Sequence, residues 1–207
     1  MKMPPRLVSH HSERSGRINS VYAVAHEMAQ GELMNMIPPA ILAQIKARDP
    51  NPKFRAYIVG HEGESHGRIS IDNSSWVKIA KKWISTAIRN LHDKIMMGTQ
   101  LFHGHTEEAN RESIGEVVGK KLANIRDRLS VVIAAYIRPE FVNLPLDVAS
   151  IEADITLSES TDGDYYADVD GISGIALGNR EVETPGFEGA TLLTKLFEFA
   201  EKSDKGD

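Results

Sequence analysis

The stretch Arg128–Ile137 constrains the fold more than any other part of the chain. Val131, Val132 and Ile133 form a continuous apolar run inside it. A strand with one wet face alternates between apolar and polar residues, whereas an unbroken run needs cover on both faces. This stretch therefore predicts a central strand with packed material on each side. Other strands are read around it. Residues 54–59 alternate and are rich in strand formers, 149–157 alternate cleanly, and 99–103, 114–121, 165–169 and 172–177 complete a set of about seven.

Helices are expected in three places. Residues 21–47 read as two helical pieces broken at Pro38-Pro39. A long helix is expected to open at Asn73, Ser74 or Ser75. Trp76, Ile79, Ala80, Trp83, Ala87, Ile88, Leu91 and Ile95 give it one apolar stripe. Lys78, Lys81, Lys82 and Arg89 read as its solvated face. Residues 191–202 carry the third pattern, and 203–207 are a polar end. Residues 1–20 are polar and without period. Residues 60–67, with His61, Glu62, Glu64 and His66, read as a turn-rich loop, 68–71 as a short extended piece, and 158–164 as an acidic turn.

Asp49-Pro50-Asn51-Pro52 is a break, and so is Pro185-Gly186. The domain expectation is an N-terminal, partly helical extension over 1–52, a main domain over 53–190, and a C-terminal helix and tail over 191–207. The fold class expected is α+β, a bent antiparallel β-barrel of about seven strands flanked by helices.

Composition narrows the function. The chain has 207 residues, 41% of them hydrophobic, enough for one core with extensions. It has 29 acidic residues against 24 basic ones, a net charge of −5, where a dedicated nucleic-acid binder would carry a basic surplus. No cysteine is present, so disulfides, thiolate metal sites and a cysteine nucleophile are excluded. No run approaches the roughly 18 apolar residues of a membrane span. The basic N-terminus lacks the apolar core of a secretory signal, so a cytoplasmic location without membrane contact is expected.

Two groups of residues carry chemistry. On a strand over 149–157, Ala149, Ile151, Ala153 and Ile155 share one face and read as core. Ser150, Glu152 and Asp154 share the other. A serine hydroxyl on such a face is a nucleophile only if a neighbouring base takes its proton. His103 and His105 lie two apart in Leu101-Phe102-His103-Gly104-His105-Thr106. An imidazole is the usual base near neutral pH. The same spacing suits a zinc site, with His61 and His66 as further donors. On the residues alone, a serine hydrolase, a metal-dependent hydrolase and a non-enzyme all stand open.

Five pieces then occur in a recognisable order. Glu64-Ser65-His66-Gly67-Arg68-Ile69 is similar to a loop of the form Asn-Gly-Arg-Ile or Asp-Gly-Arg-Val that precedes a helix. Leu101-Phe102-His103-Gly104-His105-Thr106 is similar to a Leu-Tyr-x-x-His-Pro strand, with Thr106 in place of the proline. Ser113-Ile114-Gly115-Glu116-Val117-Val118 is similar to an Ile-Gly-x-Val strand. Ala149-Ser150-Ile151-Glu152 is similar to a Val-Ser-Ile or Thr-Ser-Met-Glu strand. The run from Ile172 to Arg180 matches a strand and turn that follow. In this order, over residues 60–177, the chain resembles the prohead maturation proteases of tailed phages, which belong with the herpesvirus assemblins.

The resemblance implies an assemblin-like barrel and a serine endopeptidase that matures a procapsid. Ser150 would be the nucleophile and His105 the general base, with His103 as the fallback. His66 would be the third member in a Ser-His-His arrangement, or Asp72 would supply a carboxylate instead. Gly178-Asn179-Arg180 is the candidate for the oxyanion turn. No metal or cofactor is implied. The implied partners are the phage major capsid protein and scaffold as substrates, together with self-association and self-cleavage. The implied location is inside the assembling procapsid in the host cytoplasm. The C-terminal helix would lead into a scaffold segment. Two alternatives are a catalytically inactive capsid scaffold of the same fold and a metal-dependent hydrolase using His103, His105 and His66.

Overall fold

The computed structural model describes residues 35–70, 76–105, 111–179, 181, 185–187 and 192–195. Helix α1 (Pro39–Arg48) starts where two prolines preset the backbone and lack the N–H groups a first turn leaves unbonded. Lys46 and Arg48 sit in its last turn, where cations suit the helix dipole. Strands β1 (Lys53–His61), β2 (Gly63–Ser65), β3 (Arg68–Ser70), β4 (Trp76–Lys78) and β5 (Lys81–Trp83) follow, then helix α2 (Ser85–Lys94). The remainder is β6 (Gln100–His103), β7 (Ser113–Ile125), β8 (Arg128–Ile137), a 3-10 turn (Pro139–Phe141), β9 (Val148–Glu159), β10 (Tyr165–Gly178) and β11 (Leu192–Lys195).

Among the described residues, one nine-stranded sheet runs in the order β11-β1-β8-β7-β6-β10-β5-β2, with β9 joined to β10. Seven of these strands have four or more residues, and β2 and β5 have three each. β3 and β4 form a separate pair. The architecture is mixed α+β with the large sheet curled into a half-barrel. The sheet is not purely antiparallel as expected, because β10 pairs parallel with both β6 and β5. The curl is fastened where the segment before β9 meets β1. Tyr57 donates to the Leu146 carbonyl at 3.0 Å and Arg55 to the Val142 carbonyl at 2.6 Å.

β8 is buried on both faces, as its apolar run requires. Val131, Ile133, Ala135 and Ile137 join the main core inside the curl, where Ala87, Ile88 and Leu91 of α2 also pack. Val132, Ala134 and Tyr136 face the other way, under Met36, Ile37 and Ile45. Asp49, just past α1, accepts from Tyr136 at 3.0 Å and from the Asn51 amide at 3.0 Å.

Four local expectations differ from the structure. The helix expected from Asn73–Ser75 onward begins only at Ser85, and residues 71–75 lie outside the described part. The apolar spacing from 76 to 83 would also suit a helix, but β4 pairs with β3 and β5 is taken up between β10 and β2. Trp83 is fixed there by donating to Ser65 Oγ at 2.8 Å. Lys81 is buried, at 3% exposure, rather than solvated. Residues 60–67 are partly strand, with β1 running on to His61 and β2 following. Leu192–Lys195 is a strand paired with Arg55–Tyr57 of β1 rather than the start of a helix, and residues beyond 195 lie outside the described part. Tertiary strand pairing decides each of these segments against local periodicity.

Candidate active site

Strand alternation places Ser150 and Glu152 on one face of β9. In the antiparallel register with β10, Ser150 stands opposite Ala176 and Glu152 opposite Gly174. β6 lies on the far side of β10, with Phe102 beside Ala176 and His103 beside Leu177. β6 ends at His103. Gly104 takes a φ of +70°, and its amide donates to the Leu177 carbonyl at 2.9 Å. This left-handed turn favours glycine and breaks the alternation that would keep His103 and His105 on one face. It carries His105 across the end of β10 toward β9.

There His105 Nδ1 lies 3.0 Å from Glu152 Oε1. A carboxylate only accepts, so Nδ1 carries the proton, and in the neutral tautomer this contact selects the lone pair sits on Nε2. Glu152 also accepts from Arg111, whose Nη1 lies 2.6 Å from the same Oε1 and whose Nη2 bonds Oε2. The Arg111 guanidinium stacks 3.6 Å above the Phe102 ring. Gly174 leaves room for this stack. A Cβ there would lie 2.6 Å from Phe102 and 3.3 Å from Glu152 Oε2. Burial pushes the Glu152 carboxyl upward, but the Arg111 and His105 bonds together outweigh it and hold the group down at about 2. The glutamate is thus a fixed anion beside an oriented imidazole.

Ser150 and His105 line one small pocket with Gly104, Val148, Ala176, Leu177, Gly178 and Pro185. The structure brings the expected nucleophile and base to the same place. His66 sits elsewhere in role. Its exposed ring pairs with Glu64 Oε1 at 3.0 Å, while its backbone amide donates to the Gly186 carbonyl. The orienting position at His105 Nδ1 is held by Glu152. Asp72 and Arg180 lie outside the described residues. Gly178 does line the pocket, and Asn179 Oδ1 accepts from the Glu181 amide at 2.9 Å.

The other described histidines are dispersed. His61 is buried, donates from Nδ1 to the Glu62 carbonyl at 2.7 Å and meets the Phe187 ring. His103 is exposed at the end of β6. Among the described residues, no three His, Asp or Glu side chains converge so as to hold a metal ion.

Sequence pattern alone assigns no role to Glu152 or Arg111. Glu152 was legible as a neighbour of Ser150 on one face, two residues along, but alternation names a face and not a partner. Arg111 lies in a loop where no periodicity speaks. Chemically, a carboxylate, an imidazole with a free Nε2 and a hydroxyl can perform acyl transfer. No protein-family model, curated protein or solved structure matches the chain.

Proposed function

We propose that the chain is a serine endopeptidase of the phage prohead maturation kind, with an assemblin-like fold, that cleaves scaffold, capsid protein and itself. The observation that carries the reading is His105, held at Nδ1 by Glu152 and lining one pocket with Ser150. The five ordered sequence resemblances and the curled sheet support it.

In this reading Nε2 of His105 takes the Ser150 proton as Oγ attacks the substrate carbonyl. The tetrahedral intermediate collapses when His105 returns that proton to the leaving amine. Water then repeats the steps on the acyl-enzyme and frees Ser150. Glu152 fixes the imidazole tautomer and stabilises the imidazolium while remaining ionised. The Gly178-Asn179-Arg180 turn is the proposed source of oxyanion donors. The proposed mechanism uses no metal or cofactor. The proposed setting is the interior of an assembling procapsid in the host cytoplasm, with self-association.

A fluorophosphonate probe tests the chemistry directly. It forms an Oγ–P bond with an activated serine and expels fluoride. Intact-mass and peptide mapping should find the adduct on Ser150, and Ser150→Ala should abolish it while circular dichroism stays unchanged. An adduct that persists in Ser150→Ala, or a folded chain that labels neither as wild type nor as Phe187→Ala, ends the nucleophile reading. The latter result would favour an inactive scaffold that keeps the fold.

A further inference from the structure

The chain itself runs beside Ser150. Residues 185–187 run past the hydroxyl with the features of a bound extended peptide. Ser65, at the end of β2, pairs antiparallel with Phe187. The His66 amide donates to the Gly186 carbonyl at 2.8 Å. Gly186 faces the nucleophile, where a Cβ would lie 3.9 Å from Ser150 Oγ and 3.2 Å from the Gly67 backbone. Only a small residue fits at that point.

The next side chain, Phe187, has a pocket of its own and is 3% exposed. Its ring centroid lies 5.4 Å from that of His61 and 4.9 Å from that of Trp83. Gly60 makes the floor, since a Cβ there would sit 3.4 Å from the Phe187 ring and 2.5 Å from Leu91. Main-chain pairing plus a pocket for a side chain is how an added strand is recognised at a sheet edge.

The wall opposite is fixed independently of this segment. Buried Lys81 donates to the Gly67 carbonyl at 2.6 Å and to the Ile79 carbonyl at 3.0 Å. Pro185 lines the small pocket that also holds Ser150 and His105. A peptide strand on the same path would overlap Pro185 and Gly186, which stand beside Ser150.

We infer that residues 185–187 hold, in cis, the track an extended peptide substrate takes past Ser150. A substrate with a small residue at the Gly186 position and an aromatic residue after it must displace them. This rests on the reading of Ser150 as nucleophile. A tethered segment competes at high effective concentration, so the site is latent until the segment withdraws.

Three measurements on the full chain test it. Hydrogen exchange of the His66 amide should proceed through an opening far more frequent than that of β8 amides such as Ile133. Exchange only by global unfolding overturns the proposal. Phe187→Leu and Phe187→Ala should speed fluorophosphonate labelling of Ser150 by about tenfold or more, because labelling scales with the open fraction. An unchanged rate in a variant that keeps its circular dichroism overturns it. Last, the free peptide Thr-Pro-Gly-Phe-Glu-Gly should bind Phe187→Ala saturably, read by tryptophan fluorescence, and its Phe-to-Ala counterpart should not. Peptide binding without labelling in any form would keep the track and sink the nucleophile. Labelling without peptide binding to the folded variant would do the reverse.

Discussion

Glu152 is shared by two donors, and that sharing sets what each residue around it can do. Arg111 and His105 both bond Oε1. The arginine pins the carboxylate and keeps it charged, at the cost of some negative potential at the imidazole. His105→Ala removes the proposed base and is expected to lower single-turnover rates by about a hundredfold or more. Glu152→Gln leaves the imidazole but favours the wrong tautomer, for a loss of up to about 10⁴-fold. His66→Ala, whose ring is turned to Glu64, should stay within about twofold of wild type. Rates on one peptide, with folding checked, decide; a His66→Ala loss equal to that of His105→Ala would return the third role to the histidine. Arg111→Gln tests the charge. Folded Glu152 titrates at about 2, against an ordinary value of 4.5. As pH falls below 4.5 the unfolded chain takes up a proton that the folded protein refuses, so stability falls toward pH 2. The stability advantage of wild type over Arg111→Gln should therefore be present at neutral pH and shrink across that window, measured by denaturant unfolding at several pH values. A gap independent of pH would show that Arg111 acts by packing on Phe102 alone. At this scale the approach of Ser150 and His105 to one pocket was legible because strand alternation and ordered motifs point at them. Their orienting carboxylate was not, since it depends on a turn at Gly104 that throws His105 across β10.

At the scale of elements, glycines decide how closely neighbours approach. Gly119 sits at a register irregularity between β7 and β8. A Cβ there would meet the Met36 carbonyl oxygen at 2.4 Å and its carbon at 2.8 Å. Both are backbone atoms, so no rotamer change relieves the contact. Gly119→Ala should push residues 36–37 off the outer face of the sheet and cost about 1–3 kcal/mol, the usual range for overpacking. Hydrogen exchange should rise in α1 while the inner core of α2 and β8 stays protected; a uniform rise over both cores would show that the faces do not respond separately. The strong element signals were the ones that burial enforces. The apolar run of β8 could only be a doubly covered strand. Trp76 to Trp83 and Leu192 to Lys195 carry apolar residues at spacings that a helix would also use. Their strand states come from pairing, β4 with β3, β5 with β2 and β10, and β11 with β1. Short apolar segments do not encode that choice locally.

At the scale of the whole molecule, one sheet serves two cores, and a buried tyrosine reports on each. The class, α+β with a curled sheet, was legible from strand count and helix placement. The parallel pairing of β10 with β5 and β6 was not, because periodicity carries no partner identity. Tyr57 lies in the inner core, where burial drives its phenol up to about 12 against the opposing pull of Arg55. Tyr136 lies in the outer core, where burial and then its bond to Asp49 raise it to about 12 as well. From pH 10 upward the unfolded chain releases these two protons while the folded protein keeps them. Stability is therefore whole below pH 10 and falls as pH rises toward 12, with a slope approaching two protons. Tyr57→Phe and Tyr136→Phe should each flatten that slope by about one proton, whatever they do to stability at neutral pH. Denaturant midpoints from pH 8 to 11.5, followed together with phenolate absorbance, give the slope. If both single variants flatten it equally and unfolding stays one transition, the two faces of the sheet form one cooperative unit. If Tyr136→Phe leaves the slope unchanged, the outer face opens to hydroxide before the molecule unfolds, and α1 is a separable layer rather than part of the cooperative fold.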